Sequence, residues 1–213
     1  MTFLHPTEEQ TILGRYILLR WEPNASYFIT LSINKTSETT NLNEKKGNIS
    51  MIKDIYWTCF QYEDWEIYLA ATDHGLSYVG ISMDELETMS AKRFKKYSLI
   101  ESDEKLEAYK KELIDYLKGV KQEFVMSLDT GGTEFQQAVW KALQGIPYGE
   151  TTTYSAIANQ INNPKAVRAV GTAIGANPIL IIVPCHRVIG KDGQLTGFRS
   201  GIPMKKALLA LEK

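Results

Sequence analysis

The sequence predicts an α+β fold in which a small sheet-containing domain precedes a mainly helical one. Short runs rich in β-branched and aromatic residues alternate with turn residues between positions 56 and 81, a pattern typical of strands. Apolar residues then recur at helical spacing, first in two segments of the N-terminal half and again beyond Thr133. Gly131 and Gly132 separate these two groups of elements, so we place a domain boundary there. The chain is therefore divided into residues 1–50, 51–130 and 131–213.

The first segment, residues 1–50, is an N-terminal extension whose role the sequence does not indicate. Two short strands are expected there, over residues 16–19 and 27–33. Residues 35–50 form a polar stretch of Thr, Asn, Lys and Glu that is typical of a linker.

The second segment begins with an antiparallel meander, predicted over residues 56–61, 65–72 and 76–81. Asp73, His74 and Gly75 supply residues that favour a turn between the last two strands. Two helices follow, predicted over residues 84–96 and 103–119, and Gly119 is suited to end the second one. A further strand is predicted over residues 123–128.

The third segment carries a pattern of helices. Thr133 is a suitable N-cap for a helix that runs to about residue 143, and a loop rich in Gly and Pro follows over residues 144–151. A helix over residues 154–160 is followed by Asn163, a candidate cap, and Pro164 at the first position of another helix over residues 165–176. Two short helices joined by a tight polar turn are typical of a helix-turn-helix, although helical hairpins share this spacing.

The second of these two helices carries unusually small side chains on its surface. Each glycine inside it costs about 1 kcal/mol of helix propensity relative to alanine, so something must approach the helix closely. Either another helix packs there or the helix enters a nucleic-acid groove. Arg168 favours the groove, because a protein that extrudes a base needs a side chain to fill the vacated stack. The small residues are Ala166, Ala169, Gly171, Ala173 and Gly175.

Composition and charge restrict the class of protein. The chain of 213 residues is 44% hydrophobic and 23% charged, as expected for a globular protein. Its N-terminus lacks a signal-peptide pattern, and its longest apolar run, residues 179–183, is far shorter than the roughly 20 residues of a membrane span. We therefore expect a cytoplasmic protein without membrane association. Two cysteines and three histidines, without paired spacing, indicate neither disulfides nor a metal site, and no cofactor is expected.

The charge is divided unequally along the chain. Residues 131–213 hold nine basic and four acidic side chains, a net charge of +5, whereas the remainder carries −6. A basic C-terminal part suggests a polyanionic partner, with a solvated basic surface as the equally simple alternative.

A thiol and an imidazole follow the longest apolar run. Pro184 ends the run, and Cys185, His186 and Arg187 bring a nucleophile, a base and a fixed positive charge. A buried, inert thiol is the simpler interpretation of any single Cys-His pair. To act as a nucleophile the thiol must ionise, because a thiol with a pKa of about 8.5 is mostly protonated at neutral pH.

The run PCHRVIG (residues 184–190), with ANP (176–178) and RAVG (168–171) before it, resembles the active-site region of the O6-alkylguanine-DNA alkyltransferases, also called methylated-DNA–protein-cysteine methyltransferases. The resemblance covers about residues 52–213 and is strongest beyond Gly132. It implies a ribonuclease-H-like α/β domain followed by a winged-helix-like domain that contains the helix-turn-helix. It also implies repair of double-stranded DNA containing O6-alkylguanine, with one turnover per molecule, and we expect a monomer.

The resemblance further implies a role for individual residues. Cys185 would accept the alkyl group, His186 would deprotonate it through a water, and Glu212 would orient His186. Asn177 would hold the active-site turn, and Tyr154 would contact the guanine and its 3′ phosphate, with guanine protonated at O6 by Tyr154 or a neighbouring donor. The DNA-binding residues would be Arg168, which replaces the flipped base, with Ala166, Val167, Ala169, Gly171, Thr133 and Tyr154. The substrate pocket would be formed by Pro184, Val188, whose carbonyl reads the guanine amino group, Phe198 and Arg199, within the lid over residues 196–201.

Two other functions are alternatives to alkyl transfer, and the chain also departs from the family pattern in its lid and in its metal ligands. A non-catalytic module that binds alkylated DNA would flip the base without reacting, but Cys185 argues against it. A Cys-His hydrolase would need an oxyanion site that no motif marks.

Many family members have Tyr where this chain has Phe198, and some have a smaller residue than Arg199, which leaves the range of alkyl groups open. The Cys and His ligands of the zinc found in some members are missing.

Overall fold

The computed structural model describes residues 10–13, 16–19 and 52–213. These residues belong to two units, one within Met1–Gly47 and one within Asn48–Lys213. In the first unit, β1 (Gln10–Leu13) pairs antiparallel with β2 (Tyr16–Leu19), which confirms the strand predicted over residues 16–19. The strand predicted over residues 27–33 and the linker over residues 35–50 lie outside the described residues.

The second unit opens with a four-stranded sheet. The antiparallel meander is confirmed as β3 (Lys53–Tyr62), β4 (Trp65–Thr72) and β5 (Gly75–Gly80). The prediction missed β6 (Tyr97–Glu101), which lies parallel to β3 at the edge and gives the sheet the order β5-β4-β3-β6. The strand predicted over residues 123–128 is wrong, because this segment makes only an isolated bridge, between Leu128 and Leu76, and exposes 79% of Val125.

The two faces of the sheet are covered by α1 (Met83–Arg93) and α2 (Asp103–Leu117). Ser82 and Ser102 cap these helices by accepting from the backbone N–H three residues on. The helix predicted over residues 84–96 is too long, because α1 ends before Phe94, whose backbone is already extended. Gly119 follows α2 with φ of +70° and so serves as the predicted stop.

The C-terminal part contains four helices and a small parallel pair of strands. Thr133 caps α3 (Glu134–Gln144) in a capping box, as predicted. The pair is formed by β7 (Thr152–Thr153) and β8 (Val188–Ile189). The remaining helices are α4 (Tyr154–Gln160), α5 (Val167–Gly175) and α6 (Gly201–Leu211).

The helix-turn-helix is present, but its turn is longer than predicted. α5 begins at Val167, and Asn163 does not cap it. Asn162 instead adopts a left-handed backbone with φ of +55°, and the Asn163 carbonyl accepts from the Ala166 N–H at 3.0 Å. The second of these turns extends to Ala166 and so includes residues 165 and 166, which the sequence predicts to be helical.

One hydrophobic core extends from the sheet into the helical part. It includes residues from β4, α2, α3, α4, α5 and α6, together with the apolar run 179–183. This run is buried throughout and joins the edge of β5, where Leu180 N–H donates to the Val79 carbonyl at 3.1 Å. The predicted α+β fold is confirmed. Because the apolar run is buried in this core and leads directly to Pro184 and Cys185, it fixes the position of Cys185.

The predicted boundary coincides with two glycines that no other residue replaces easily. Gly131 and Gly132 have φ of +58° and +83°, which L side chains rarely adopt. A Cβ at Gly132 would lie 2.6 Å from the Trp140 ring. The division into domains at this point stays a prediction. Among the described helices, none has both the length and the apolar character needed to span a bilayer.

Candidate active site

A 3₁₀ turn, Cys185–Arg187, directly follows the apolar run and Pro184. The Cys185 N–H donates to the Val183 carbonyl at 2.7 Å, and the Arg187 N–H donates to the Pro184 carbonyl at 3.0 Å. The turn is therefore held in a fixed orientation within the core, with Cys185 at its first position.

Asn177 holds this turn from the far end of the apolar run. It is fully buried, its Nδ2 donates to the Val183 carbonyl at 2.9 Å, and its Oδ1 accepts from the Ile179 N–H at 3.0 Å. The same Nδ2 lies 3.2 Å from the Cys185 Sγ. The amide therefore joins both ends of the run and donates to the sulfur.

The Cys185 thiol is nearly closed off from solvent, with 4% of the residue exposed. Burial raises the pKa of the thiol, while the Asn177 hydrogen bond and the charges of Arg199 and Lys205 oppose this rise. At neutral pH the resting group is accordingly a thiol. A thiolate forms only if a base takes the proton.

His186 is the base closest in sequence, and it is bound to Glu212. Its Nε2 lies 2.6 Å from Glu212 Oε1, while Nδ1 is buried and has no hydrogen-bond partner among the described residues. Burial lowers the pKa of His186, and the Glu212 carboxylate opposes that fall. A neutral imidazole that donates from Nε2 keeps the Nδ1 lone pair available to accept a proton.

The Glu212 carboxylate is held by several donors besides His186. Arg187 donates from Nε to Oε2 at 2.9 Å and from Nη2 to Oε1 at 3.1 Å. The Gly149 N–H donates to Oε2 at 3.1 Å, and the Tyr116 hydroxyl donates to Oε1. Burial alone would raise the pKa of Glu212, but the hydrogen bonds from His186, Arg187 and Tyr116 bring it down to about 2. Glu212 is therefore ionised throughout the neutral pH range.

Only some of the predicted DNA-binding residues lie on the exposed surface of α5. Val167, Arg168 and Ala169 are exposed, and Ala166 is half-buried. Gly171 instead lies beside Tyr154, since a Cβ there would be 3.7 Å from the Tyr154 ring. A Cβ at that distance would be in ordinary van der Waals contact, so packing on Tyr154 does not by itself require a glycine.

Thr133 and Tyr154 have partners within the protein. The Thr133 hydroxyl accepts from the Gln136 N–H as the cap of α3. The Tyr154 hydroxyl donates to the Thr196 carbonyl at 3.3 Å, so it contacts the segment predicted to be the lid. Thr172, an exposed residue of α5, was not among the predicted residues.

The four residues predicted to form a substrate pocket each make contacts within the protein. The Val188 carbonyl accepts from the buried Lys205 Nζ at 2.6 Å, and Phe198 is half-buried against the core. Pro184 lines a cavity of about 780 Å³ together with Arg187.

Arg199 points to the sheet-containing part of the unit. Its Nη1 donates to Glu85 Oε2 at 2.9 Å, and its Nη2 donates to the Val79 carbonyl at 3.2 Å. The guanidinium also lies over the Tyr78 ring, 5.4 Å from its centroid. Arg199 therefore anchors the lid segment to the sheet-containing part, and its place in a substrate pocket stays a prediction.

Sequence reasoning missed three side chains of this site. From the sequence, Arg187 is recognisable only as a positive charge, and Tyr116 falls among apolar residues at helical spacing in α2. Lys205 is fully buried between Met204 and Leu208 of α6, and its Nζ also donates to the Thr196 carbonyl at 3.0 Å. A lysine on the apolar side of a helix was the available signal, because such a residue is rarely buried without a partner.

No group of three or more His, Cys, Asp or Glu side chains suited to hold a metal occurs among the residues that the structure describes. The site therefore consists of a thiol, an amide, an imidazole and a carboxylate with its donors. This arrangement can move a proton from a buried thiol and leave a nucleophilic sulfur behind.

Comparison with known families matches most of the described chain. Residues 55–130 match the ribonuclease-like domain of 6-O-methylguanine DNA methyltransferase, and residues 134–213 match its DNA binding domain. The inducible methylated-DNA–protein-cysteine methyltransferase of Bacillus subtilis is 53% identical over 162 residues, which cover 75% of this chain and 90% of that protein. The methylated-DNA–protein-cysteine methyltransferase of Methanosarcina acetivorans is 45% identical over 158 residues, 74% of this chain and 98% of the relative.

Solved structures show the same similarity. The crystal structure of Mycobacterium tuberculosis O6-methylguanine methyltransferase has a TM-score of 0.66 and 41% identity, and covers 75% of this chain and 93% of that one. The Mycobacterium tuberculosis OGT in complex with DNA has a TM-score of 0.63 and 43% identity, over 74% and 92% of the two chains.

Proposed function

The chain belongs to the O6-alkylguanine-DNA alkyltransferase family, and from this membership we propose which of its residues carry the reaction. The protein repairs DNA by transferring an alkyl group from guanine to a cysteine of its own chain. Cys185 is that cysteine. The observation that carries this assignment is the 2.6 Å contact between His186 Nε2 and Glu212 Oε1, which leaves a buried Nδ1 next in the chain to the thiol.

His186 removes the proton of Cys185, and a water carries it from Sγ to Nδ1. The Glu212 carboxylate accepts from Nε2 and so fixes the tautomer in which Nδ1 is the acceptor. The positive charge that develops on the imidazole is stabilised by this carboxylate. Asn177 donates to Sγ at 3.2 Å and favours the ionised sulfur.

The thiolate then attacks the alkyl carbon bound to guanine O6. The S–C bond forms while the C–O6 bond breaks, and its electron pair stays with the guanine. Tyr154 or a neighbouring donor gives the leaving base a proton. The product at Cys185 is a thioether, which no described side chain is suited to cleave, so each molecule reacts once.

DNA is bound through the helix-turn-helix, and the damaged base is rotated out of the duplex. The exposed residues Val167, Arg168 and Ala169 of α5 face the groove, and Arg168 fills the space left by the base. Extrusion costs a few kcal/mol and costs least at a poorly paired lesion. The net charge of +5 beyond residue 130 supports contacts with phosphates that are independent of sequence and sensitive to salt.

The carbonyl of Val188 reads the amino group of the extruded guanine. Lys205 already donates to this oxygen at 2.6 Å, but a carbonyl has two lone pairs and can accept a second hydrogen bond. The lid over residues 196–201 covers the base. Because DNA and reducing conditions that preserve a free thiol are found together in the cytoplasm, we assign the protein to that compartment.

Transfer of a labelled methyl group tests the assignment. Duplex DNA that carries labelled O6-methylguanine is incubated with the protein, with Cys185→Ala and with Cys59→Ala, which removes the other cysteine. The label should move to the parent protein and to Cys59→Ala, and should stay on the DNA with Cys185→Ala. Transfer by Cys185→Ala would refute the assignment of the acceptor. Binding of the alkylated duplex by the parent protein without transfer would indicate a non-catalytic binding module instead.

A further inference from the structure

Tyr116 connects the sheet-containing part of the unit to the proton relay. It lies in α2, is fully buried, and donates from its hydroxyl to Glu212 Oε1, 96 residues further along the chain. Oε1 is the same oxygen that lies 2.6 Å from His186 Nε2. A tyrosine from the acidic half of the chain therefore shares an acceptor with the base of the reaction.

The two oxygens of Glu212 are not equivalent. Oε2 accepts from Arg187 Nε and from the Gly149 N–H. Oε1 accepts from Arg187 Nη2 and from the Tyr116 hydroxyl, besides its contact with His186. Each added donor withdraws charge from the oxygen that faces the imidazole. Oε1 is consequently a weaker acceptor for His186 than a carboxylate oxygen with no other partner.

We propose that Tyr116 is a positioning residue of the alkyl transfer, which orients Glu212 and limits how strongly Oε1 holds the imidazole proton. This inference rests on the function proposed above, because it presupposes that His186 acts as the base. The physical reason is a balance. A carboxylate that attracted the proton too strongly would keep His186 in its charged form, and a charged imidazole cannot accept the proton of Cys185.

The surroundings of the relay allow this effect to be isolated. Apart from Tyr116, the titratable and charged groups that face His186 and Glu212 come from the active-site turn, from α6 and from the loop before β7. Arg187 is bonded to Glu212, Lys205 acts on His186 through its charge, Cys185 is the preceding residue in the chain, and the Tyr148 ring packs against Tyr116. Removing the Tyr116 hydroxyl ends the 3.5 Å contact that Arg187 Nη2 makes with it, but Arg187 keeps its bonds to both oxygens of Glu212, and the ring of Tyr116 can remain in the core.

The variant Tyr116→Phe tests the proposal through the pH dependence of single-turnover methyl transfer. Without the Tyr116 hydroxyl, Oε1 attracts the imidazole proton more strongly, so the acid limb of the rate profile should move to higher pH. A rise of about half a pH unit lowers the rate on that limb about threefold, while the rate on the plateau changes less. A tyrosine that only stabilises the fold would lower the melting temperature without moving the limb.

Tyr62→Phe is the matched control. The Tyr62 hydroxyl donates to the Leu117 carbonyl at the end of the same helix, at 2.7 Å, and is not bonded to Glu212. Its removal should leave the acid limb in place. An unmoved limb in Tyr116→Phe, or an equal shift in both variants, would overturn the proposal.

A second substitution reverses the expected sign. Replacing Tyr116 with 3-fluorotyrosine keeps the shape of the residue and makes its hydroxyl a stronger donor, so the acid limb should move to lower pH. This variant carries the test if Tyr116→Phe does not fold. An acid limb that stays in place, or that moves to higher pH, would count against the proposal. Failure of the proposed function is distinguishable, because the parent protein itself would then transfer no methyl group to Cys185.

Discussion

The substitution Glu212→Gln tests the account of the relay on the stability of the protein as well as on its rate. Glu212 is buried, and its carboxylate accepts from His186, from two nitrogens of Arg187, from Gly149 and from Tyr116. A glutamine keeps the shape of the side chain but removes the charge. The Arg187 guanidinium, which is also buried, is then left without a counter-ion.

The expected loss follows from two independent estimates. The pKa of Glu212 falls from 4.5 to about 2 on folding, and at 1.36 kcal/mol for each tenfold change in acidity this corresponds to about 3 kcal/mol at pH 7. Removal of one partner from a buried ion pair costs about 3–5 kcal/mol. For a domain of this size, about 3 kcal/mol lowers the melting temperature by roughly 6–12 °C.

The sign of the pH dependence is fixed by the depressed pKa. The stabilisation is complete above the unfolded value of 4.5 and disappears as the pH falls through the folded value of about 2. Glutamine does not titrate. The free energy of unfolding of the parent should therefore exceed that of the variant by about 3 kcal/mol at pH 7 and by about 2 kcal/mol at pH 3.5.

Urea unfolding of the parent and of Glu212→Gln, at both pH values, measures this difference. Glu85→Gln is the matched control, because Glu85 pairs with Arg199 but exposes 37% of its side chain, and such a pair is worth at most about 1 kcal/mol. Methyl transfer by Glu212→Gln should be slower, with DNA affinity near that of the parent. A loss below about 1 kcal/mol at pH 7, or a loss that does not narrow on acidification, would refute the reasoning.

Three other substitutions have definite expected outcomes. Asn177→Ala leaves the buried Val183 carbonyl without its donor, so it should cost about 1–3 kcal/mol in urea unfolding and slow transfer; unchanged stability would show that the amide is dispensable. Arg168→Ala should slow transfer from duplex DNA roughly tenfold, or by about 1.4 kcal/mol, and hardly affect transfer from a single strand, whereas equal effects on both would remove it from base extrusion. Lys205→Met should slow transfer because the lid loses its bond to the Thr196 carbonyl, and the exposed Lys206→Met should not; equal rates for the two variants would contradict the anchoring role.

The parts of the fold that local pattern decides were predicted well. The meander, the capped start of α3 and the helix α4 follow from alternation, from Thr133 and from the Thr153 cap. β6 was missed because its five residues pair with β3, more than 40 positions earlier in the chain, and no local period reveals such a pairing. Residues 123–128 were assigned to a strand because their composition suits one, yet no neighbouring strand extends along them.

The site shows the same division between local and distant information. The turn that carries Cys185 and His186 could be predicted from the apolar run and Pro184, and the link to Glu212 came from resemblance to a family. Tyr116 has apolar neighbours at helical spacing, and only the tertiary structure brings its hydroxyl to a carboxylate 96 residues away. A sequence pattern assigns such a residue to the core because most of its surface is indeed buried there.

The intact mass of the protein, followed by mapping of the modified peptide, tests the central claim most directly. The protein is titrated with duplex DNA containing O6-methylguanine, up to a large excess of DNA. The account predicts that the mass rises by one methyl group in place of one hydrogen, that it rises no further at any excess, and that the group lies on Cys185. A methyl group on Cys59, several groups per molecule, or complete demethylation of the excess DNA by unmodified protein would contradict it.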